Sequence, residues 1–293
     1  MEIRELLLLA HLASGASPTM ARNLLAALKA KAPIEEATLY ELVSSQGRTQ
    51  LATYLTSPHL REQFEILRHE PFLTCVDPEF PARLYEMAQT PLVLFYEGNL
   101  HLLGSAEDSQ ANIAHRKILG VVGARLATDY TRHALEYLLP RLNPSTVIIS
   151  GLARGADSIA HRVAIEHDMA TIAVIGTGCD RYYPKEHRLL QQQIAHDGLL
   201  LSEYPPGTGV LPYRFVARNR IIAGVAHGLL VTEAASKSGT LITTKMALEA
   251  GRSVFALPNR IDAELGTGTN EALKSGATFV TNAADINAEL QYF

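Results

Sequence analysis

From Lys117 onward, the sequence alternates between short apolar runs and segments with helical periodicity. The apolar runs are ILGVVGA, TVIISG, TIAVIGT, LLLSEY, GLLVTEA, SVFALP and a short TFV. Helices are predicted between them over residues 129–139, 157–167, 186–196, 214–226, 239–250 and 269–275. Strands that are apolar throughout and joined by helices are typical of a parallel sheet with helices on both faces. The sequence therefore predicts the α/β class, with an enlarged Rossmann-like, mostly parallel sheet whose ligand site lies beyond the carboxyl ends of the strands.

The chain before this alternation has a different pattern. Helices are predicted over residues 2–13, 17–31, 35–44, 47–56 and 59–69, with prolines at or near their boundaries. An irregular stretch follows, with one predicted strand from Leu92 to Tyr96, and the polar segment 104–116 is typical of a linker or an exposed loop. We predict three parts: a small all-helical domain over residues 1–70, a connecting segment over 71–110 that packs on the next domain, and the Rossmann-like domain over 111–293.

Composition and charge exclude several classes of protein. The chain has 293 residues and only two cysteines, too few for a disulfide framework or a four-cysteine metal site, and a reducing compartment is expected. No apolar run approaches the ~18 residues of a membrane span, and Glu2 and Glu5 stand where a signal peptide is basic. We therefore predict an amphipathic first helix and a cytoplasmic protein. The first 115 residues carry 8 Lys and Arg against 14 Asp and Glu, whereas the rest carry 18 against 16. This balance excludes a globally basic nucleic-acid binder, but it allows a focused basic site in the second part.

The loops after the predicted strands carry glycine, serine and basic residues. A strand–loop–helix turn of this kind directs backbone N–H groups and the positive end of a helix dipole toward an anion. A single loop of this kind more often has only a structural role in ending a strand. Five such loops at one edge of the sheet, nearly all with Arg or Lys, favour a binding site for a polyanion. The candidate binding residues are Gly123, Arg125, Ser150, Gly151, Arg154, Gly155, Lys185, Arg214, Phe215, Arg218, Asn219, Arg220, Lys237, Ser238, Gly239 and Thr240.

The basic residues of these loops differ in their expected surroundings. Arg218 shares one face of the helix predicted over 214–226 with apolar residues, so it cannot be a simple solvated charge. A buried ion pair with Glu203 or Glu233 explains it as well as a binding role does. Arg220 faces the other way, and we expect it to be free to reach a phosphate. Lys237, in a loop that opens a helix, places a point charge beside backbone N–H groups.

Motifs for most catalytic classes are missing from the sequence. There is no Gly-x4-Gly-Lys-Ser/Thr loop for ATP, no Gly-x-Ser-x-Gly elbow and no His-Glu-x-x-His pair, and the eleven histidines lack ligand spacing. We therefore predict no catalytic residue, no cofactor and no metal site. GTGCDR is a weak dinucleotide-binding match because Arg181 stands at the third glycine position. Asp157 is interpreted as a helix cap, and His161 as a packed or surface residue rather than a base.

A set of segments, in order along the chain, resembles one known family. VVGAR, SGLARGAD-IAH, TIAVIGTG-D-YYP, SEYPPGT, F-ARNRIIAG, EA--KSGTLIT, A-E-GR-VFALP and G-GTNEALKSGA are similar to motifs of the DNA-processing protein A (DprA/Smf) family. The resemblance covers about residues 72–282, and RNRIIAG together with SGTLIT is highly specific. The resemblance implies a small helical domain of the SAM-like type, followed in the sequence by a Rossmann-like domain. We expect the C-terminal winged helix that many members add to be absent.

The resemblance also implies a function and a set of site residues. Members of the family are homodimers that bind single-stranded DNA without sequence preference, protect incoming DNA and load a RecA-type recombinase in natural transformation; they are not enzymes. Single-strand-binding protein is a further candidate partner. The family's Gly-Ser-Arg motif falls on Gly123 to Arg125, where Ala124 removes one hydroxyl contact, and its Arg-Asn-Arg motif falls on Arg218 to Arg220. The principal phosphate contacts expected are Arg125, Arg154, Arg220 and Lys237.

Two other functions stay open at this point. A nucleoside 5′-monophosphate phosphoribohydrolase of the lysine-decarboxylase-like (LOG) group has a related fold, but it needs a carboxylate shortly after its Gly-x-Gly-Thr turn. Here the first acid after Thr240 is Glu249, ~14 Å further along the helix, so we expect no such hydrolysis. A nucleotide-sensing module that binds no nucleic acid explains the basic loops less well. We also predict a homodimer through the Rossmann-like domain, since apolar residues around GATFV and INAELQYF lack an obvious cover.

Overall fold

The computed structural model describes residues 1–32, 34–35, 39, 45–104 and 116–292. Its helices are α1 (Ile3–Ser14), α2 (Pro18–Lys29), α3 (Ser45–Thr56), α4 (Pro58–Leu67), α5 (Asp129–Leu138), α6 (Ala156–Glu166), α7 (Arg188–Asp197), α8 (Pro212–Val225), α9 (Gly239–Glu249), α10 (Thr267–Lys274) and α11 (Ala283–Leu290). Its strands are β1 (Phe72–Thr74), β2 (Val93–Gly98), β3 (Ile118–Val122), β4 (Val147–Ser150), β5 (Thr171–Ile175), β6 (Leu199–Ser202), β7 (Gly228–Val231), β8 (Ser253–Ala256) and β9 (Thr278–Phe279).

The predicted strands are all present, and the predicted α/β class with a mostly parallel sheet is confirmed. The strand expected from Leu92 to Tyr96 is β2, and the seven expected after residue 116 are β3 to β9. The sequence pattern missed β1, which has only three residues. The helix predicted over 35–44 and the polar segment 104–116 fall largely outside the described residues. Within the parts of the chain that are described, no helix combines the length and apolarity needed to cross a lipid bilayer.

The strands of the described residues form one sheet, in the order β1-β2-β6-β5-β4-β3-β7-β8-β9. Strands β3 to β9 are parallel, whereas β1 and β2 add an antiparallel edge beside β6. The chain fills the sheet from β3 to β6 in one direction and then continues from β7 on the other side of β3. The crevice beyond the carboxyl ends of β3 and β7 is therefore the topological switch point, where open α/β sheets bind their ligands.

Both faces of the central sheet are covered, which explains why its strands are apolar throughout. In β3, Ile118 and Val122 belong to one hydrophobic cluster, whereas Leu119 and Val121 belong to a second. Helices α7, α8 and α9 contribute to the first cluster, and α5, α6 and α11 contribute to the second. Alternate residues of a strand point to opposite faces, so a strand between two helical layers is apolar on both faces. Polar residues at the strand ends, such as Ser150 and Thr171, donate hydrogen bonds to backbone carbonyls.

Helix α1 packs directly on this sheet. Its residues from Leu6 to His11 are all buried, and Leu6 to Ala10 share the first hydrophobic cluster with Phe72 and Phe95 of the antiparallel edge. The expectation of an amphipathic first helix is wrong, because α2, α3, β1 and β2 surround α1. His11 also reaches the sheet edge that carries the site: its Nε2 atom lies 2.8 Å from the backbone carbonyl oxygen of Glu203, just after β6. The domain boundaries near residues 70 and 110 stay predictions.

Candidate functional site

A cavity of ≈ 390 Å³ lies at the switch point, beyond the carboxyl ends of β3 and β7. Its volume is within the range of small-ligand pockets. The walls come from the loop after β3, the first turn of α6, the N-terminal half of α8 and the start of α9. Eight of the sixteen predicted binding residues line it: Gly123, Arg125, Phe215, Arg218, Asn219, Ser238, Gly239 and Thr240. Half of the predicted binding residues therefore lie in the wall of one cavity, and their role in binding stays a prediction.

The loop between β4 and α6 is packed tightly beneath the cavity. Gly155 has φ +70° and lies against the carbonyl oxygens of Ala124 and Arg125, so a side chain at this position would collide with them. The Ala156 N–H donates to the Ala124 carbonyl at 3.1 Å. Ser150 Oγ donates to the Val121 carbonyl at 2.6 Å. Ser150 thus joins β4 to β3, Gly155 packs against the loop after β3, and neither lines the cavity.

Arg218 forms the floor of the cavity and is buried. Its Nη1 donates to the carbonyl oxygens of Gly151 and Val174, and its Nε donates to Asn219 Oδ1 at 3.0 Å. Gly151 can only be glycine here, because the guanidinium occupies the space of a side chain. Burial lowers the pKa of Arg218 to about 10, although the nearby Asp157 carboxylate opposes this shift. The suggested ion pair with Glu203 or Glu233 is wrong, since backbone carbonyls hold this guanidinium.

Arg220 is buried on the opposite side of α8. Its Nη2 donates to Glu203 Oε1 at 2.5 Å, whereas its Nε and Nη1 have no hydrogen-bond partner among the described residues. The expectation that Arg220 is free to reach a phosphate is therefore wrong. The helical pattern predicts that this side of α8 is exposed to solvent, but Glu203 and α1 cover it. His11 approaches the Glu203 backbone here, and burial lowers the pKa of this histidine.

The rim of the cavity carries two cations without an ion-pair partner within the described part of the chain. Arg125 and Lys237 are exposed, and neither makes a hydrogen bond or an ion pair with another described residue. Lys237 has φ +61°, a conformation that residues other than glycine rarely adopt and that is concentrated at functional sites. Ser238 Oγ, at the start of α9, is buried without a partner in the described part of the chain. This hydroxyl and the free N–H groups of the first turn of α9 can bind an oxyanion.

The remaining predicted cations lie outside the cavity. Arg154 is exposed, and its hydrogen bond to Glu186 raises the pKa of the guanidinium; the two atoms, Nε and Oε1, are 2.5 Å apart. Lys185 is exposed beside Glu186. Arg214 Nη1 donates to the Gly209 carbonyl at 2.7 Å, and the guanidinium lies 4.8 Å from the centre of the Tyr204 ring. Any role of these cations in binding stays a prediction.

One carboxylate lies in the cavity wall. Asp157, interpreted from the sequence as a cap, accepts a hydrogen bond from the Ala153 N–H at 3.3 Å in the turn before α6, and it lines the cavity. Burial raises the pKa of Asp157, and the Arg218 charge opposes the rise. The sequence pattern singles out Glu249 and does not place Asp157 beside the cavity. Glu249, the acid considered from the sequence, instead pairs with Lys245 at 3.7 Å on the exposed side of α9.

His161, one turn after Asp157 on α6, is packed as expected. Its Nδ1 lies 2.7 Å from Thr171 Oγ1, and burial lowers the pKa of the imidazole to about 3. On the other wall, Thr240 Oγ1 donates to the Gly123 carbonyl at 3.0 Å and joins α9 to the loop after β3. Among the residues that the structure describes, no cluster of His, Cys, Asp or Glu is arranged to hold a metal ion.

This architecture is that of a Rossmann-like protein with a cavity at its switch point and two exposed cations, Arg125 and Lys237, at the cavity rim. Residues 71–291 match the family model described as DNA recombination-mediator protein A. The chain belongs to the DNA-processing protein A (DprA/Smf) family, as its motifs indicate, and is thus a DNA-processing protein.

Individual relatives agree with this assignment. The chain is 40% identical over 234 residues to the DNA processing protein DprA of Streptococcus pneumoniae, which covers 80% of this chain and 78% of that protein. It is 40% identical to protein Smf of Escherichia coli, but it spans only 56% of that protein, about half its length.

Two solved structures share the fold. The X-ray structure of DprA from Streptococcus pneumoniae superposes with a TM-score of 0.87 and 34% identity, covering 99% of both chains. A structure of Helicobacter pylori DNA processing protein A, described for its single-stranded DNA binding mode, gives a TM-score of 0.63 at 27% identity and covers 76% of this chain and 97% of that one.

Proposed function

We propose that this protein binds single-stranded DNA, without sequence preference, through the cavity and its rim. The observation that carries the proposal is the pair of rim cations, Arg125 and Lys237, beside the buried and unpartnered Ser238 hydroxyl at the start of α9. The related Helicobacter pylori protein is described as binding single-stranded DNA. A flexible strand can lower one nucleotide into a recessed cavity, whereas a duplex, with a persistence length of ~150 base pairs, cannot bend into it.

Titration of labelled single-stranded and double-stranded oligonucleotides over a series of salt concentrations tests this proposal. The wild type should prefer the single strand, and neutralising one phosphate contact with Lys237→Gln should lower the slope of log K against log salt by ~0.7. Arg125→Glu should weaken single-strand binding ~10- to 100-fold on every sequence.

The matched control is Arg162→Glu, which reverses an exposed arginine of α6 outside the cavity lining. This change should alter affinity by no more than ~2-fold at physiological salt, because surface charges at a distance are screened. If folded Arg125→Glu protein bound the single strand as tightly as the wild type, the site would lie elsewhere.

We further propose that the bound strand is protected and handed to a RecA-type recombinase in the cytoplasm, with single-strand-binding protein as a partner. The description of the matching family as a recombination mediator supports this role. On a strand coated with single-strand-binding protein, the wild type should shorten the lag before recombinase ATPase activity begins. Arg125→Glu should leave the lag unchanged. An equally long lag with wild-type protein would contradict the loading role.

We also propose that the protein is a homodimer. Ile286 and Leu290 of α11 are buried in the protein's own core, so part of the apolar C-terminal segment has a cover within the chain. Phe279 and Tyr292 are 55% and 79% exposed and remain available for a second copy. Sedimentation at tens of micromolar should give a dimer, and a monomer at that concentration would refute the proposal.

Asp157 makes the hydrolytic alternative testable. We propose binding without hydrolysis, because this carboxylate accepts the Ala153 N–H and lies beside the Arg218 charge, which opposes stabilisation of a second cation. Nucleoside 5′-monophosphates incubated with the wild type should release no free base. Release that disappears with Asp157→Asn would assign the phosphoribohydrolase activity to this cavity instead.

A further inference from the structure

An aromatic surface continues from the cavity wall to the outside of the protein. Phe215 lines the cavity, and its ring centre lies 5.1 Å from that of Tyr183, with 34° between the two planes. Phe215 is held against the backbone of Gly176, where a side chain would crowd it. Tyr183 is 45% exposed, and its hydroxyl makes no hydrogen bond with another described residue. Nearly half of the surface of this tyrosine is thus accessible next to the cavity.

Charge distinguishes the two ways out of the cavity. On the Tyr183 side, Arg154 and Lys185 are exposed; Glu186 pairs with Arg154, so the positive charge of Lys185 remains. On the side of Leu265, a second cavity of ≈ 810 Å³ is lined by Glu233 and Glu264, and the one cation in its lining, Arg260, is already paired with Asp262 at 2.6 Å. A polyanion that leaves the first cavity is attracted toward the tyrosine and repelled from the carboxylates.

We infer that Tyr183 is a stacking platform for the nucleobase adjacent to the one held at the cavity, and that a bound strand leaves over the edge formed by Phe215 and Tyr183 toward Lys185. The inference rests on the proposed binding of single-stranded DNA. Stacking on an aromatic ring tolerates any base, because each base has a π-face, so this platform preserves binding without sequence preference. It also explains an exposed tyrosine ring that is supported from behind by a second ring.

Two oligonucleotides of equal length separate stacking from other contributions: oligothymidylate, and a strand in which thymidine alternates with abasic residues. Both carry the same phosphates, but the second lacks a base next to each thymidine. Wild-type protein should bind the alternating strand ~10-fold more weakly. Tyr183→Ala should lose ~10-fold on oligothymidylate and should no longer distinguish the two strands, whereas Tyr183→Phe should behave as the wild type.

Tyr137→Ala is the matched control, since Tyr137 is 51% exposed on α5 and does not line the cavity. It should bind both strands as the wild type does. Equal loss by Tyr183→Ala on both strands would show that the ring only supports Phe215, and no loss on oligothymidylate would remove the platform altogether. Arg125→Glu reports separately on the cavity: if that variant also bound normally, the proposed function itself would fail, whereas loss with Arg125→Glu alone would overturn only the platform.

Discussion

The floor and the rim of the cavity use arginine in opposite ways. On α8, Arg218 and Arg220 are buried, and their hydrogen bonds go to backbone carbonyls and to Glu203. At the rim, Arg125 is exposed and makes no ion pair with another described residue. A buried guanidinium must have partners within the protein, whereas an exposed one keeps its hydrogen-bonding capacity for a ligand. The arginines of the RNR motif, Arg218 and Arg220, therefore make contacts within the protein, whereas Arg125 of the GAR motif is available to a ligand.

The largest expected effect is the difference in unfolding free energy between alanine variants of Arg218 and of Arg125. Arg218→Ala leaves the Gly151 and Val174 carbonyls without their donor, and we expect the free energy of unfolding to fall by about 3–5 kcal/mol. Arg125→Ala should change it by no more than ~0.5 kcal/mol. Urea denaturation of both variants measures this contrast, and equal stabilities would mean that Arg218 does not form a structural floor.

Arg220 allows a test of whether its partner is the Glu203 carboxylate. Arg220→Met leaves that buried carboxylate unpaired and should cost about 3 kcal/mol of unfolding free energy. Adding Glu203→Leu removes the orphaned charge, and the double variant should return to within ~1 kcal/mol of the wild type. If the two single losses simply add in the double variant, the side chains do not form a coupled pair.

Lowering the pH should destabilise the folded protein through His161, which is buried on α6. His161 is neutral in the folded protein because burial lowers its pKa from 6.5 to about 3, so below pH 6.5 the unfolded chain binds a proton that the folded protein does not. His161 alone should lower the free energy of unfolding by ~1.4 kcal/mol per pH unit below pH 6.5, or ~2 kcal/mol by pH 5. The buried His11 and His227, whose pKa values burial also lowers, add to this loss. His161→Asn should flatten the slope by the contribution of His161 in denaturation curves between pH 7.5 and 5. A profile equal to that of the wild type would contradict the burial of this imidazole.

The smallest expected effect concerns Arg154, an exposed arginine outside the cavity that is paired with Glu186. Glu186→Gln removes the carboxylate that competes with a phosphate for this guanidinium, so single-strand affinity should rise roughly 2- to 3-fold. Glu136→Gln is the matched control, because Glu136 pairs with Arg132 at 3.6 Å on α5 outside the cavity lining. Lower affinity with Glu186→Gln would show that Glu186 positions Arg154 for binding rather than competing for it.

The sequence predicts the sheet well because each strand is fully apolar and each loop ends a strand at the same edge. It also predicts the exposed cations of the rim, since these depend only on local pattern. It misplaces Arg220 because the helical wheel does not reveal that α1 and Glu203, distant in sequence, cover that side of α8. It also misses Asp157 as a cavity residue, because an acid in the first turn of a helix equally suits a cap. Errors thus arise where the surroundings are built by residues far apart along the chain.

Because α1 packs on the sheet, the segment shared with the family and the segment that forms the hydrophobic core do not begin at the same residue. The family match begins at residue 71, yet the hydrophobic cluster that includes the β1–β2 edge also includes Leu6 to Ala10 near the N-terminus. A fragment starting at residue 71 would expose the apolar edge and remove the His11 contact to Glu203. We therefore expect the intact chain to unfold in one cooperative transition, and a fragment starting at residue 71 to be less stable than the intact chain.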